Sequence, residues 1–562
     1  MKNSLLRLVL AIALGMGLAP VSASLAEGVV KRPPFPFMWE NATIYFLLTD
    51  RFSNGNRAND LAYGRRNDAA PQRGFAGGDL AGITAKIKQG YFKDLGVDVI
   101  WLTPPVEQIH GATDEGTGMS YAFHGYWARD WTSVDANLGT EQDLRTMVDT
   151  AHAHGLRVLL DVVMNHIGPV TAIDPLWPSD WVRTSPLCTY KDTASTVDCV
   201  LVDNLPDIRT DSKATVALPP ALVKKWQAEG RYEKEVKELD TFFAHTGWPR
   251  APRYYLMKWH ADWVRKFGID GFRVDTAKHV EPGVWRELKQ VASAALEDWR
   301  RLHPAKVRDK MPFFMTGEVY NYQISDGLQF DMGGEQRVNF YANGFDSLIN
   351  FAFKSDANQP YEALFSSYSS SLQGPLKGYS VLNYVSSHDD GSPFDTARVR
   401  PFEAATKLLL SPGMAQIYYG DETARPLNVP DTKGDAILRS PMNWQELEQN
   451  TARPGYRIAD LRRHWSKLGL FRRAHPAVGA GVHKELADQP YTFARILQKN
   501  GLNDRVVVAL DLPTDRRSTI AVSGVFADGQ MVKDYYSGKR ARVIAGGVTF
   551  DSHDALALIG ME

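Results

Sequence analysis

The sequence predicts an α/β protein with a closed barrel of eight parallel strands at its centre, a small domain inserted after the third strand, and an antiparallel β-sandwich at its C-terminal end. Two observations predict the barrel: eight short, β-rich apolar segments recur along the chain, and helical stretches lie between them. The additional domains are predicted because this alternation breaks after residue 167 and again beyond about residue 475. A chain of 562 residues is also too long for one ordinary domain.

Residues 1–26 have the features of a secretory signal peptide. Lys2 and Arg7 precede an apolar run over residues 8–18, and small residues follow it. The run is too short for a retained membrane helix, and no later stretch reaches the roughly 18 apolar residues that such a helix needs. A buried N-terminal helix is the alternative interpretation. We therefore expect a soluble mature chain, in the periplasm or secreted, with no membrane attachment after signal removal.

The composition argues against a nucleic-acid partner. The chain has 64 basic and 65 acidic residues and no basic runs, so it lacks the positive surface that neutralises phosphates. A neutral, polar substrate fits this charge balance better. We expect the chain to be a monomer.

The predicted strands follow one another at intervals along the chain. They cover residues 42–49, 98–104, 157–165, 271–277, 312–320, 346–353, 381–389 and 415–422. Eight strands that alternate with helices indicate a (β/α)8 barrel, also called a TIM barrel.

The helices between the strands have local patterns of their own. Thr140 and Asp143 form a capping-box pattern at the start of one helix, and Gly155 marks its C-terminal end, directly before the third strand. Pro282 stands where a first helical turn tolerates proline. It precedes an apolar stripe at helical spacing that indicates core packing: Val284, Trp285, Leu288, Val291, Ala292, Ala295 and Trp299.

Two regions interrupt the alternation of strands and helices. Residues 167–253 are far too many for an ordinary loop and are predicted to form an inserted domain. Residues 476–562 have short alternating strands and are predicted to form the β-sandwich, which leaves residues 27–166 and 254–475 for the barrel. Cys188 and Cys199 are the only cysteines, and in an exported chain such a close pair favours a disulfide over two zinc-binding thiolates.

Four of the predicted strands end in polar clusters, at residues 161–166, 271–275, 315–318 and 385–389. Catalytic groups of barrel enzymes lie at these strand ends. Period-two alternation places Arg273 and Asp275 on one side of their strand, and the guanidinium is expected to keep Asp275 charged, as a nucleophile requires. Glu318, on the next strand, is then the candidate for the carboxyl group that protonates a glycosidic oxygen. A single strand-end acid is more often part of a structural ion pair, but four such clusters together favour a catalytic site.

These segments resemble the sequence motifs of the α-amylase family, family thirteen of the glycoside hydrolases. Residues 161–166, 271–280, 316–319 and 388–389 match its four main motifs, and residues 205–207 and 420–422 match two flanking ones. The resemblance covers roughly residues 40–475. Residues 104–111 and 124–131, together with the long match over residues 271–280, further resemble members from the periplasm of Gram-negative bacteria.

The resemblance implies a role for each matching residue. Asp275 would be the nucleophile, Glu318 the general acid/base and Asp389 the transition-state stabiliser. The side chain of Tyr126 would be the platform on which the sugar stacks, although by composition alone it could equally belong to the core. The substrate-binding residues would be His124, Tyr126, His166, Arg273 and His388 at the cleaved sugar, with Lys278 and His279 on the leaving-group side.

Two calcium sites are also expected. An oxygen-rich loop resembles a calcium loop of the family, although an Asx-rich turn is the alternative, and its implied ligands are Asn54, Asn56, Asn59, Asp60, Gly77 and Asp79. A second site is implied at Asn165, Asp207 and the carbonyl of His279. Val197 stands there in place of an acidic ligand that many family members have, and Ser386–Ser387 stand where Asp-Asn is commoner.

The resulting hypothesis is retaining endo-hydrolysis of α-1,4 bonds in starch, glycogen or maltodextrins. An exo-acting maltooligosaccharide hydrolase or a transglycosylase is the alternative within the family, because the catalytic residues do not distinguish them. A non-catalytic glucan-binding protein is the alternative from another class, but the intact acids at positions 275, 318 and 389 argue against it.

Overall fold

A computed structural model describes residues 35–114 and 116–561. The predicted signal peptide, residues 1–26, lies outside the described residues. Eight parallel strands form a closed barrel, and the last strand pairs with the first. The barrel strands are β1 (Thr43–Leu47), β2 (Val99–Leu102), β3 (Arg157–Val162), β4 (Gly271–Val274), β5 (Phe314–Gly317), β6 (Ser347–Asn350), β7 (Ser380–Tyr384) and β8 (Met414–Tyr418).

The sequence predicted all eight barrel strands, and the predicted fold class is confirmed. Every residue of these strands is buried, because the barrel interior covers one face and helices cover the other. Most predicted segments extend further than the strands themselves. Asp275 and Glu318 are the first residues beyond β4 and β5, and their backbone N–H groups still donate to Val162 and Val274 of the preceding strands. Their side chains therefore stand at the C-terminal rim of the barrel.

Nine helices of nine or more residues occur in the part of the chain that the structure describes. They are α1 (Leu80–Lys88), α2 (Glu141–Ala153), α3 (Pro220–Ala228), α4 (Tyr232–Thr246), α5 (Pro252–Phe267), α6 (Pro282–Leu302), α7 (Tyr361–Gln373), α8 (Pro401–Leu409) and α9 (Ile458–Ala474). The capping box of Thr140 and Asp143 begins α2, and Pro282 occupies the first turn of α6. The whole predicted apolar stripe of α6 is buried. None of the helices in the described ranges is long and apolar enough to cross a membrane.

The segment between β3 and β4 contains α3, α4, α5 and a short antiparallel pair, Val182–Arg183 with Asp207–Ile208. Cys188 and Cys199 form a disulfide bond in this segment. The strand Ala128–Val134, which follows β2, contacts α3 through Asp130, whose carboxylate accepts a hydrogen bond from Lys225 at 2.8 Å.

The C-terminal part is built from antiparallel strands. They are β9 (Val482–Ala487), β10 (Thr492–Lys499), β11 (Leu502–Ala509), β12 (Thr519–Ala521), β13 (Met531–Asp534), β14 (Arg540–Arg542), β15 (Gly547–Thr549) and β16 (Ala557–Gly560). Six of them form one sheet in the order β9-β10-β11-β16-β13-β14, while β12 pairs with β15. Apolar side chains from both sheets, among them Val507, Ile520 and Val548, share one core, as expected for the predicted β-sandwich.

Candidate active site

Arg273 lies at the centre of a cluster of carboxyl groups at the C-terminal rim of the barrel. Its side chain is 1% exposed. Nη1 lies 2.9 Å from Asp161 Oδ1 and 2.7 Å from Asp275 Oδ1, and Nη2 lies 2.9 Å from Glu318 Oε2. One guanidinium thus bridges three carboxyl groups, including the predicted nucleophile and the predicted acid/base.

The barrel register explains this meeting. Arg273 of β4 stands opposite Asp161 of β3 and Thr316 of β5, so these three side chains lie on the same face of the sheet. Asp275 and Glu318 follow two residues after Arg273 and Thr316, so their side chains have the same orientation one pleat further on. The strand pairing therefore brings together acids that are far apart in the sequence.

Glu318 is held in an environment that favours its protonated form. Burial raises the pKa of Glu318 well above its usual range; Arg273 opposes this shift, while Asp275 and Asp389 add to it. The backbone N–H of Thr276 donates to Glu318 Oε2 at 2.8 Å. Thr276 has a left-handed backbone, with φ at 47°, which is unusual for a β-branched residue. This turn directs its N–H towards Glu318.

Tyr126 stands beside the same cluster. Its hydroxyl donates to Asp161 Oδ2 at 2.9 Å, and its ring lies 5.3 Å from the ring of His388 with an interplanar angle of 24°. His166 Nε2 lies 3.0 Å from the Tyr126 carbonyl oxygen, and His124 Nδ1 accepts the Tyr126 backbone N–H at 3.1 Å. The ring is thus fixed at the rim of the cluster, where it could stack against a sugar.

The surroundings of the three histidines beside Tyr126 favour their neutral form. Burial lowers the pKa of His166, and burial together with Arg439 lowers the pKa values of His124 and His388 well below the usual range. A neutral imidazole has one donor and one acceptor nitrogen, which suits hydrogen bonding to sugar hydroxyls.

Asp389 is the most accessible of the three predicted catalytic acids, with a side chain that is 37% exposed. The Ser387 hydroxyl lies 3.5 Å from Asp389 Oδ1. The other serine of this pair, Ser386, donates from its hydroxyl to Asp421 at 2.6 Å. The two serines therefore differ in their contacts, and of the two only Ser387 adjoins Asp389, the predicted transition-state stabiliser.

Sequence reasoning missed two groups of this site. Asp161 is the last residue but one of β3 and lies inside a predicted cluster; it accepts hydrogen bonds from Arg273, Tyr126 and Trp101. Arg439 is 8% exposed, and its Nε donates to the His388 carbonyl oxygen at 2.8 Å. The alternation of the strand could have indicated Asp161, but no local pattern in the sequence indicates Arg439.

Lys278 and His279 lie between the cluster and the disulfide-bonded loop, residues 188–199. His279 Nδ1 lies 3.0 Å from the Thr196 carbonyl oxygen, and its ring lies 5.8 Å from the ring of Tyr190. Lys278 Nζ lies 5.7 Å from the Tyr190 ring centroid. Lys278 and His279 therefore lie against the disulfide-bonded loop.

Three of the predicted N-terminal calcium ligands, Asn54, Asp60 and Gly77, converge in the structure. A Cβ atom added at Gly77 would lie 2.5 Å from Asn54 Nδ2 and 2.8 Å from Asp60 Oδ1, so these groups enclose a tight cradle. Asn59 Oδ1 is buried and, among the described residues, has no hydrogen-bond partner. The Asp79 carboxylate caps α1 and accepts the backbone N–H of Asn56 at 2.7 Å. A group of oxygen donors that includes a buried oxygen without a hydrogen-bond partner, Asn59 Oδ1, fits the chemistry of Ca²⁺.

The second predicted calcium site has fewer available oxygens. The Asn165 side-chain amide lies 3.2 Å from Asp207 Oδ1 and 2.9 Å from the His279 carbonyl oxygen. If the amide nitrogen of Asn165 faces these two oxygens, it donates a hydrogen bond to each of them. If the amide oxygen faces them instead, it converges with the Asp207 and His279 oxygens as a third possible ligand. Asp207 also contacts Arg183, whose Nε lies 3.0 Å from Oδ2. An arginine already supplies positive charge here, so these residues fit Ca²⁺ only in part.

Carboxyl groups next to Arg183 form a further cluster. Ligand atoms of Asp198, Asp211 and Glu281 lie within 4.8 Å of one another. Burial raises the pKa of Asp207 to about 9; Arg183 opposes this shift, while Glu281, Asp211 and Asp198 add to it. Burial and the same neighbouring carboxyl groups also raise the pKa of Glu281, so this cluster favours the protonated forms of both Asp207 and Glu281.

Comparison with known proteins concerns the family and the fold of the chain. Residues 46–460 match the family model of the alpha amylase catalytic domain. The periplasmic alpha-amylase of Escherichia coli strain K12 is 37% identical over 518 residues, which cover 82% of this chain and 71% of that protein. A cyclomaltodextrin glucanotransferase of Bacillus sp. strain 1011 is 27% identical over 85% of this chain, but the match spans only 60% of that relative.

A solved structure also shares the fold. The alpha-amylase of Geobacillus thermoleovorans, complexed with acarbose, superposes with a TM-score of 0.63 at 22% identity, over 94% of this chain and 99% of that one. At this identity the likeness concerns the fold. The family match and the 37% identical relative show more than the fold: the chain belongs to the alpha-amylase family.

Proposed function

We propose that this chain is a retaining endo-hydrolase of α-1,4-glucosidic bonds in starch, glycogen or maltodextrins. One observation carries the proposal: the guanidinium of Arg273 bridges Asp275 and Glu318 at 2.7 Å and 2.9 Å. Such a bridge is compatible with the carboxyl separation of about 5 Å that a double displacement needs. The named activity of the 37% identical relative supports the same conclusion.

The mechanism follows from the two carboxyl groups. Asp275 attacks the anomeric carbon while Glu318, protonated because burial raises its pKa, transfers its proton to the leaving glycosidic oxygen. This breaks the glycosidic bond and forms a covalent bond between the sugar and Asp275. Glu318, now ionised, takes a proton from water, and the resulting oxygen attacks the same carbon and releases Asp275. Two inversions at one carbon retain its configuration.

Other residues bind the sugar in this proposal. Tyr126 stacks on the apolar face of the ring, and the neutral imidazoles of His124, His166 and His388 hydrogen-bond to its hydroxyls. Asp389 interacts with hydroxyls of the distorted ring in the transition state. Lys278 and His279 contact the leaving part of the glucan.

The direct test compares Glu318→Gln with wild type on soluble starch. We expect the rate of reducing-end formation to fall by at least about 1000-fold, because the leaving oxygen is no longer protonated. The matched control is Glu233→Gln, on the exposed face of α4, which should keep wild-type activity. Wild-type activity in Glu318→Gln would disprove the assignment.

Endo action is tested in the same reaction. An endo-hydrolase shortens the polymer early, so iodine colour should disappear when few reducing ends have formed. Slow colour loss in proportion to reducing ends would instead favour the exo-acting alternative. Cyclic or lengthened products would favour a transglycosylase, which is the activity that the name of the cyclomaltodextrin glucanotransferase relative suggests.

Calcium is part of the proposal as a structural ion. Asn54, Asn56, Asn59, Asp60, Gly77 and Asp79 would hold one ion in the N-terminal loop, and Asn165, Asp207 and the His279 carbonyl would hold a second. The orphaned Asn59 oxygen supports the first site, while the contact between Arg183 and Asp207 makes the second weaker. The ion would supply charge neutralisation to these loops.

The domain boundaries and the location of the protein are also proposals. We assign residues 27–166 and 254–475 to the barrel, 167–253 to the inserted domain and 476–562 to the β-sandwich. We place the mature protein in the periplasm, because the 37% identical relative is named as periplasmic and Cys188 and Cys199 form a disulfide bond. Its partner is an α-glucan, and it acts as a monomer.

A further inference from the structure

The N-terminal oxygen-rich loop, residues 54–60, is joined to Tyr126, the proposed sugar platform, by a continuous set of hydrogen bonds, most of which are buried. The first contact is made by Asn137, which is 1% exposed. Its Nδ2 donates to the backbone carbonyls of Asn59 at 3.1 Å and Asp60 at 2.6 Å. The position of the Asn137 amide therefore depends on the position of the backbone of this loop.

Arg65 takes the next position in this set. It is 3% exposed. Its Nη1 donates to Asn137 Oδ1 at 2.5 Å and to Asp135 Oδ1 at 2.8 Å. Its Nη2 donates to the carbonyls of Gln108 at 3.1 Å and Ile109 at 2.8 Å. A rigid, planar guanidinium cannot follow a shift of Asn137 without changing its other contacts.

Gln108 connects this guanidinium to the sugar platform. Its backbone N–H donates to Asp135 Oδ2 at 3.0 Å, and its side-chain Oε1 accepts the backbone N–H of Trp127 at 2.6 Å. The Trp127 carbonyl accepts the N–H of Ile109 at 3.0 Å. Both backbone groups of Trp127 are thus fixed by residues that Arg65 holds, and Tyr126 is the preceding residue.

We propose that Asn137 and Arg65 are positioning residues which couple a cation in loop 54–60 to a glucan bound at Tyr126. A cation that draws in the oxygens of this loop fixes the carbonyls of Asn59 and Asp60, and through Asn137 and Arg65 it orders the segment that carries Tyr126. The inference rests on the proposed function, because it assumes that Tyr126 contacts a glucan. Coupling of this kind is reciprocal: each ligand changes the affinity of the other by the same factor.

The test measures binding rather than turnover. In the full-length Glu318→Gln chain, maltoheptaose is titrated by calorimetry with saturating Ca²⁺ and after removal of Ca²⁺, and Ca²⁺ is titrated with and without maltoheptaose. We expect Ca²⁺ to tighten maltoheptaose binding by about 5-fold or more, and maltoheptaose to tighten Ca²⁺ binding by the same factor.

Asn137→Ala in this background should bring both factors close to one while Ca²⁺ still binds. The control Asn503→Ala, an exposed position on β11, should keep the original factor. Arg65→Lys is the second variant, because it keeps the buried charge but loses the planar fork; we expect it to reduce the factor as well.

The outcomes separate the two proposals. Binding of maltoheptaose without any Ca²⁺ effect, or an unchanged factor in folded Asn137→Ala and Arg65→Lys, would overturn the coupling and leave the proposed function intact. Failure of the Glu318→Gln chain to bind maltoheptaose under any condition would overturn the proposed function, and the coupling with it.

Discussion

Arg273 shows what one residue contributes to this site. Its guanidinium contacts Asp161, Asp275 and Glu318 with two nitrogens. An ammonium group is a point charge on a flexible stem and cannot reproduce this planar bridge. We therefore expect Arg273→Lys to lower kcat/KM on maltooligosaccharides by about 100-fold or more, measured by initial rates. Arg265→Lys on α5 is the control, and equal values for both variants would contradict the bridging role.

Glu318 allows a prediction about pH. Its pKa is raised by burial and by the charges of Asp275 and Asp389, against the opposing effect of Arg273. An acid must be protonated, so kcat/KM falls as pH rises through this pKa, and the falling limb should lie well above pH 4.5, the ordinary value for glutamate. The residual activity of Asp389→Asn should fall at lower pH than wild type, because one raising charge is removed. If kcat/KM falls at the same pH in wild type and in Asp389→Asn, the charge of Asp389 does not raise the pKa of Glu318.

At the scale of single elements, Asp130 connects the Ala128–Val134 strand to α3 and to the start of α4. It lies 2.8 Å from Lys225 Nζ and 2.5 Å from Arg231 Nη2. Burial raises the pKa of Asp130, but Lys225 and Arg231 outweigh it and lower the pKa from 3.8 to about 2. The stabilisation that this carboxylate provides is therefore complete above about pH 4 and is lost as pH falls towards 2.

Asp130→Asn removes a fully buried charge from between two partly buried cations, Lys225 and Arg231, which keep Glu229 as a second shared partner. We expect the free energy of unfolding at pH 7 to fall by about 3 kcal/mol, and the further loss of stability between pH 4 and pH 2 to become smaller than in wild type. Urea unfolding at several pH values measures both. Asp515→Asn, at an exposed position, is the control, and an unchanged pH dependence in Asp130→Asn would rule out this role.

The elements also show how far sequence reasoning extends. Barrel strands such as β2 were predictable because burial on both faces requires a largely apolar run, and in β4 the charged residues Arg273 and Asp275 mark where the apolar character ends. That Arg273 lies opposite Asp161 follows from the pairing register of β3 and β4, which could not be predicted from the sequence alone. Arg439 was not predictable, since it lies in an irregular segment, and its contact with the His388 carbonyl depends on how two distant loops meet.

At the scale of the whole molecule, closure of the barrel depends on groups that come from opposite ends of the chain. Arg472 of α9 is 0% exposed and donates to the carbonyls of Asn41, Leu409 and Ser411 at 3.0 Å each. Asn41 in turn donates to the Arg472 carbonyl at 2.7 Å. The first and last barrel segments are thus joined by hydrogen bonds that no local sequence pattern predicts, because their partners are backbone carbonyls.

The last prediction concerns the stability of the whole chain. The N-terminal loop is tied to the barrel rim through Asn137, so a cation bound there stabilises the folded state and not only the loop. An ion at 100 times its Kd adds about 2.7 kcal/mol to the free energy of unfolding. Removing Ca²⁺ with a chelator should therefore lower the apparent Tm by several degrees in differential scanning calorimetry, and added Ca²⁺ should restore it.

Asn54→Ala distinguishes this loop from the site at Asp207. Asn54 is exposed, and its amide contacts only Asp60 among the side chains of the described residues at 2.8 Å, so its loss should leave the metal-free Tm nearly unchanged while the response to Ca²⁺ shrinks. A chelator that has no effect on the wild-type Tm would count against both sites. A full Ca²⁺ response in Asn54→Ala would instead assign the stabilising ion to Asn165, Asp207 and the His279 carbonyl, where Arg183 competes for the same carboxylate.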